Sequence, residues 1–402
     1  MPTERLGPLK GLRVLEIANV IAGPFAGSLF ADYGADVIKI ELPQIGDPFR
    51  QFMPTLNGES LRWPTMARNK RCISLDLRVK RGKEIFLSLL KTTDIVIENF
   101  RPGIIEKWGI GYEEMKRVNP KIILVRISGY GQTGPYREKA GFGTPSTAFS
   151  GYTYLQGYPD RPPVSPPISL SDYVAGLFGV IGGLSSLTAI LNGELQEGQV
   201  IDVSLYEPLL RFLDGVVTEY GINGKIPERT PMITGSASPS DIFQTKDNKW
   251  VIIVASTQRT WERLAQVMKR EDLISNEKFE TNPQRVKNNE LLTGIIGKWV
   301  KGFTMNEICR VLDENGIPVS PVNSVADIME NDQFIVRQDI ISIPHPLFGD
   351  INMPNIFPFF SQTPCTVRHI GPALGEHNRE VYISELGMSE EEYQQLQDLG
   401  II

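Results

Sequence analysis

At 402 residues, 41% hydrophobic and 22% charged, the chain is too long for one small core and has the composition of an ordinary globular protein of about two domains. Its net charge is −6 with lysines and arginines scattered along it, which excludes a broad nucleic-acid-binding face but not a small anionic ligand held by a few cations. Cys72, Cys309 and Cys365 show no C-x-x-C spacing and His345, His369 and His377 no metal-ligand spacing, so a reducing cytoplasm, loop histidines and no metal site are expected.

The N-terminus has no apolar stretch before its first charges, so no signal peptide is expected. "LRVLEIA" reads as a strand, "PFAGSLFADYG" as a helix opened by Pro24, and "DVIKIE" as a strand. "CISLDL", the helical "KRGKEIFLSLLKTT", the buried strand "DIVIENF" and then "KIILVRIS" continue the alternation. Such alternation predicts βαβ units and a parallel sheet. Tyr173 to Leu191 carry no charge and brush the length of a membrane span, but four glycines and three hydroxyl residues favour a buried central helix. Its Gly176, Gly179 and Gly183 offer a small-residue face to another helix or chain. The strand "QVIDVSLYE" and a helix from Pro208 complete a large unit, residues 1–220.

Residues 221–240, "GINGKIPERTPMITGSASPS", read as a linker. A hairpin around Lys246, Asp247 and Asn248 follows, then helices in "TQRTWERLAQVMK", "NPQRVKNNELLTGIIGKWVKG" and "TMNEICRVLDENG". Residues 221–326 thus form a smaller α+β domain, and 327–402 a mixed tail ending in a helix with a capping pattern at Ser389 and Glu392.

"VRISGYGQTGPY" contains G-x-G-x-x-G at Gly129, Gly131 and Gly134. A dinucleotide fingerprint needs a helix to begin at its last glycine, where amides and helix dipole meet the pyrophosphate. Here "PYREKAGFGTP" follows, broken by Pro135 and Pro145, so a nicotinamide oxidoreductase is disfavoured. "PPISLSDYVAGLFG" places Asp172 at the start of the long helix. Spacing alone allows a helix N-cap or a nucleophile kept anionic by the helix dipole. The small-residue loop "ANVIAGPFAG", the loop "ENFRPG" and the basic segments "RNKRC" and "LDLRVKRGK" suit either a solvated surface or a phosphorylated ligand.

Taken together, these segments resemble the class III CoA-transferases, the group that includes formyl-CoA:oxalate and carnitine CoA-transferases. The resemblance spans the chain, from "LKGLRVLEIANVIAGPFAGSLFADYGADVIKIELPQIGDPFR" through "NKRCISLDLRVKRGKE", "DIVIENFRPGIIEKWGIGYE", "NPKIILVRISGYGQTGPY" and "SLSDYVAG" to "GPALGEHNREVYISELGMSEEEYQQL". It implies an α/β fold: a large Rossmann-like domain, a smaller α+β domain, a C-terminal segment returning to the large one, and an interlocked dimer. By position, Asp172 matches the catalytic aspartate, which implies aspartyl-anhydride and aspartyl–CoA thioester intermediates. Ile21, Ala22, Leu75, Arg78, Asn99, Phe100, Arg101, Lys107 and Lys139 match CoA contacts. Coenzyme A and acyl-CoA, with succinyl-CoA the expected donor, are then substrates, an organic carboxylate accepts CoA, and no permanently bound cofactor is implied. Expected partners are a second copy of the chain or a related subunit, with neither nucleic acid nor membrane.

Four departures bear on the acceptor. Leu42 and Gly143 stand where the oxalate enzyme has a cationic and an acidic residue, Gln51–Phe52 stand near an aromatic substrate residue, and "TGSASPS" is short against its glycine-rich flap. Same-fold racemases use a histidine base where this chain has Phe142, which counts against that activity. A non-catalytic CoA-binding subunit is the other alternative.

Overall fold

A computed structural model describes residues 6–229 and 236–402. Two compact units emerge. The first comprises residues up to Tyr154, Ser165–Ile226 and Gln338–Ile402; the second comprises Leu155–Val164 and Pro227–Arg337. The second unit therefore takes in a short segment from before the long helix and extends past residue 326. Thr234 and Gly235 of "TGSASPS" lie outside the described residues.

In the first unit six strands, β1 (Arg13–Glu16), β2 (Asp36–Glu41), β3 (Arg71–Ser74), β4 (Ile95–Glu98), β5 (Ile123–Ser128) and β6 (Val200–Ser204), form one sheet. Every pairing is parallel and the order is β3-β2-β1-β4-β5-β6. That order reverses between β1 and β4, the doubly wound arrangement whose ligands sit beyond the carboxyl ends of the strands at the reversal. The fold is thus α/β with a parallel Rossmann-like sheet.

The central strands β2, β4 and β5 are buried along their whole length, as parallel strands covered by helices on both faces must be, while the edge strand β6 leaves Asp202 exposed. Leu15, Ile38 and Val96 face a core shared with α2 (Lys80–Leu90) and with Val381, Tyr382 and Leu396 of the C-terminal segment. Val14, Val37 and Val125 face the opposite core with α1 (Ala22–Asp32) and the long helix. The C-terminal segment is tied down by Tyr382, whose hydroxyl donates to the Ser74 carbonyl at 2.6 Å. Charged residues interrupt these strands, yet Glu16, Lys39 and Glu98 have no exposed surface.

A short helix, α3 (Gly143–Phe149), precedes the long α4 (Leu170–Leu191). The helix α4 starts earlier than the sequence suggests: Ser169 is its N-cap and Asp172 its third residue, so Asp172 is not the cap. The burial of α4 is one-sided. Gly176 packs so close to α1 that a Cβ there would lie 2.8 Å from the Ala22 carbonyl oxygen, while Leu177 and Ile181 are exposed. The helix α4 is long and apolar enough to cross a membrane, but its small-residue face is occupied by α1 and by Val125 and Ile127 of β5.

In the second unit β7 (Ser240–Gln244), β8 (Trp250–Val254) and β9 (Val319–Pro321) form an antiparallel sheet, with β7 and β8 joined as the expected hairpin. The helices α5 (Gln258–Val267), α6 (Asn282–Lys287), α7 (Asn289–Val300) and α8 (Met305–Glu314) accompany it, around Trp261, Leu264, Ile296 and Ile308. What reads as one helix in sequence breaks at Asn288 into α6 and α7.

Candidate active site

The residues that follow β1, β4, β5 and β6, with the starts of α3 and α4, enclose a cleft of about 390 Å³. Asn19–Ala22 follow β1, Asn99–Pro102 follow β4, Ser128 and Gly129 close β5, and Leu205 follows β6. The cleft therefore sits at the carboxyl ends of the strands, at the reversal of strand order.

Asn99 fastens the two central loops together. Its side chain accepts the Asn19 N–H at 2.8 Å and donates to the Asn19 carbonyl at 2.7 Å. Phe100 donates its backbone N–H to the buried Glu98 carboxylate at 2.7 Å and packs edge-on against Trp108.

The glycine motif has no helix at its end: the chain runs irregularly from Gly131 to Phe142 before α3 begins at Gly143, and Gly129 meets Gly141 backbone to backbone. A Cβ on Gly129 would lie 2.7 Å from the Gly141 Cα, so this pair lets the loop fold back on itself. The returning loop carries Arg137 and Lys139 into the cleft lining, with the Lys139 ammonium 3.4 Å from the Tyr136 ring centroid.

Asp172 lines the cleft together with Gly143 and Phe142. A Cβ on Gly143 would fall 2.0 Å from Asp172 Oδ2, so glycine there leaves the space that the carboxylate fills. Ser171 ties the two helix starts together by donating to the Gly143 carbonyl at 2.7 Å. Burial pushes the Asp172 carboxyl up to about 6, against the pull of the α4 N-terminus toward the anion. At pH 7 a group with that value is about nine-tenths ionised. The outcome is a poorly solvated carboxylate, anionic at neutral pH, with open space before it.

Of the residues singled out in sequence, Asp172, Ile21, Ala22, Asn99, Phe100, Arg101 and Lys139 line this cleft. Leu75 and Arg78 line a smaller neighbouring cavity of about 160 Å³, which shares Asn19 and Phe100 with the first. Arg78 is exposed and engaged with Asp76 at 2.7 Å. Lys107 is exposed on a short helix, outside the lining of both cavities. Arg137, Ser128, Thr144, Ser169 and Leu205 also line the cleft, and sequence reading did not select them. Only Arg137 carried a signal, as a cation two residues before Lys139. Phe142, 70% exposed, lines the cleft with a ring that cannot carry a proton.

Among the described residues no group of three His, Cys, Asp or Glu side chains forms a metal site. His377 is half-buried and its Nδ1 accepts the Cys72 N–H at 3.2 Å.

The model of CoA-transferase family III matches residues 9–378. The succinyl-CoA–D-citramalate CoA-transferase of Chloroflexus aurantiacus is 40% identical over 98% of both chains. The alpha subunit of succinyl-CoA–L-malate CoA-transferase of Chloroflexus aurantiacus is also 40% identical, over 98% of this chain and 92% of its own. The mouse succinyl-CoA:glutarate CoA-transferase is 32% identical over 99% of this chain and 91% of its own. Among solved structures, a CAIB/BAIF family protein from Brucella suis superposes with a TM-score of 0.83 at 31% identity, covering 94% of this chain and 99% of its own. The chain belongs to CoA-transferase family III, and it is an enzyme that moves CoA from an acyl-CoA to an organic carboxylate.

Proposed function

We propose that the donor is succinyl-CoA, that the acceptor is a short dicarboxylic acid, and that Asp172 is the nucleophile. The observation that carries the assignment is the Asp172 carboxylate itself, poorly solvated and facing a cleft at the reversal of strand order. Donor and acceptor class follow from the relatives, whose names pair succinyl-CoA with citramalate, malate or glutarate. The cationic side chains of Arg101, Arg137 and Lys139 in the cleft lining suit CoA phosphates and a second acceptor carboxylate.

In the first step Asp172 Oδ attacks the thioester carbonyl, and the C–S bond breaks to give an aspartyl–acyl anhydride and CoA thiolate. The thiolate then attacks the aspartyl carbonyl, releasing the donor acid and leaving CoA as a thioester on Asp172. The acceptor carboxylate repeats both steps in reverse, so the acyl-CoA product leaves and the aspartate is regenerated. The apolar side chains of Phe100 and Leu205 in the lining serve to keep water from the anhydride. Asn99 and the first loop, with Ile21 and Ala22, hold the CoA thioester, with Leu75 and Arg78 next to them. The enzyme works as a cytoplasmic homodimer without a permanently bound cofactor; a hetero-oligomer is the second arrangement, since two relatives are named as alpha and beta subunits of one enzyme.

Incubation with succinyl-CoA and a panel of dicarboxylates, read by mass spectrometry of the thioesters, tests this. Transfer lost in Asp172→Asn supports it; undiminished transfer in that variant defeats the role of Asp172. Light scattering on the purified chain decides the oligomer.

A further inference from the structure

Beneath the first loop of the cleft lies a buried group of three acids and three bases: Glu16, Glu41 and Asp47 with Lys39, Lys70 and Arg50. The side chains of Glu16, Lys39, Lys70, Asp47 and Glu41 have essentially no exposed surface. Burying so many ions costs more than their mutual attraction returns unless each finds further polar partners. For Lys39, Lys70 and Asp47 those partners include backbone atoms of a single stretch, Ala18–Pro24. Lys39 Nζ, 2.8 Å from both Glu16 and Asp47, also donates to the Ala18 carbonyl at 2.9 Å. Lys70 Nζ, 2.8 Å from Glu16, donates to the Pro24 carbonyl at 2.6 Å. Between them the Val20 N–H points at Asp47, 3.0 Å from Oδ1 and 3.2 Å from Oδ2.

Val20 has φ +69°. A β-branched residue takes that left-handed conformation only where its surroundings impose it. Here Asp47 receives the Val20 N–H while Asn99 holds both polar backbone atoms of the preceding Asn19. Asp47 is itself anchored by Lys39 and by the N–H groups of Phe49 and Val20. Burial pushes its carboxyl up, but Lys39 and those N–H groups outweigh burial and hold it below the ordinary value.

We infer that Asp47 is a positioning residue for CoA-thioester binding: charged and fixed by Lys39, it holds Val20 left-handed and so sets Ile21 and Ala22 in the wall of the cleft. The inference rests on the reading that these two residues meet CoA. Asp47 is not itself among the residues lining the cleft, so its influence passes through Val20.

The test compares Asp47→Asn, Asp47→Asn with Val20→Gly, and Val20→Pro, reading KM for succinyl-CoA, kcat, and the Kd of free CoA by calorimetry. Asp47→Asn is expected to raise KM and Kd by about tenfold with kcat changed less than about threefold. Glycine takes a positive φ without strain, so the double variant is expected to recover most of that loss, a rescue that a merely stabilising role would not give. Val20→Pro forbids φ +69° and removes the N–H while leaving the ionic group whole, so it is expected to raise KM similarly. This variant decides the matter if Asp47→Asn does not fold. Unaltered KM and Kd in folded Asp47→Asn or Val20→Pro, or no rescue by Val20→Gly, overturns the inference. A wild-type protein that transfers CoA but whose Ile21 and Ala22 variants bind it normally overturns the underlying reading instead.

Discussion

Gly143 and Asp172 occupy complementary space: a Cβ on Gly143 would lie 2.0 Å from Asp172 Oδ2 and 3.0 Å from its carboxyl carbon. The backbone of Gly143 is not left-handed, so the requirement for glycine is one of room and not of conformation. The residue 29 positions away that supplies the carboxylate and the residue that makes way for it meet only because α3 and α4 start side by side.

Gly143→Ala therefore displaces the carboxylate without straining the backbone. The expected result is a fall in kcat of about 10- to 100-fold, the usual consequence of moving a reacting group by an ångström. Circular dichroism and CoA affinity should stay near wild type.

The position of Asp172 also predicts a pH profile. Burial raises its carboxyl to about 6, and only the anion attacks the thioester, so kcat/KM should rise with pH through an apparent value near 6. A plot of log kcat/KM against pH with no break between 5 and 7 would contradict the assignment.

The same shift bears on stability, with the opposite sign. A carboxyl whose folded value lies above its unfolded value stabilises the fold below about pH 3.8, and that contribution disappears as pH rises through 6. Asp172→Asn should thus be more stable than wild type at pH 8 by about 1–2 kcal/mol, and not at pH 4. Urea denaturation at the two pH values measures it, with the solvent beside the carboxylate keeping the figure below the full shift.

Asn99→Ala removes both hydrogen bonds that fasten the loops after β1 and β4. At roughly 1 kcal/mol for each bond, KM for the CoA donor should rise about tenfold or more. Donor titration at fixed acceptor gives the number.

Lys107 offers a contrast with Arg101. Arg101 lines the cleft and Lys107 does not, so Arg101→Ala should raise KM for the CoA donor several-fold and Lys107→Ala less than about twofold. Repeating both at high salt should shrink the Arg101 effect and leave Lys107 flat.

The alternation of apolar strands and helices, the failure of the glycine motif to open a helix at Gly134, and the placing of Asp172 in the first turn of the long helix could all be read from one dimension. Each depends on residues close together in the chain, where periodicity and turn chemistry act directly. The N-cap could not be read: spacing allowed Asp172 that role, and backbone conformation gives it to Ser169. Nor could Gly143 be seen as the partner of Asp172, or Asp47 as the partner of Val20, since both pairs meet across separate elements. Lys70 sits in a basic segment that suits a solvated surface, and nothing in sequence pairs it with Glu16, Lys39 or Asp47. Only the sheet brings β1, β2 and the segment before β3 together, and once their charges leave water they pair with each other and with nearby backbone, that of the first loop above all.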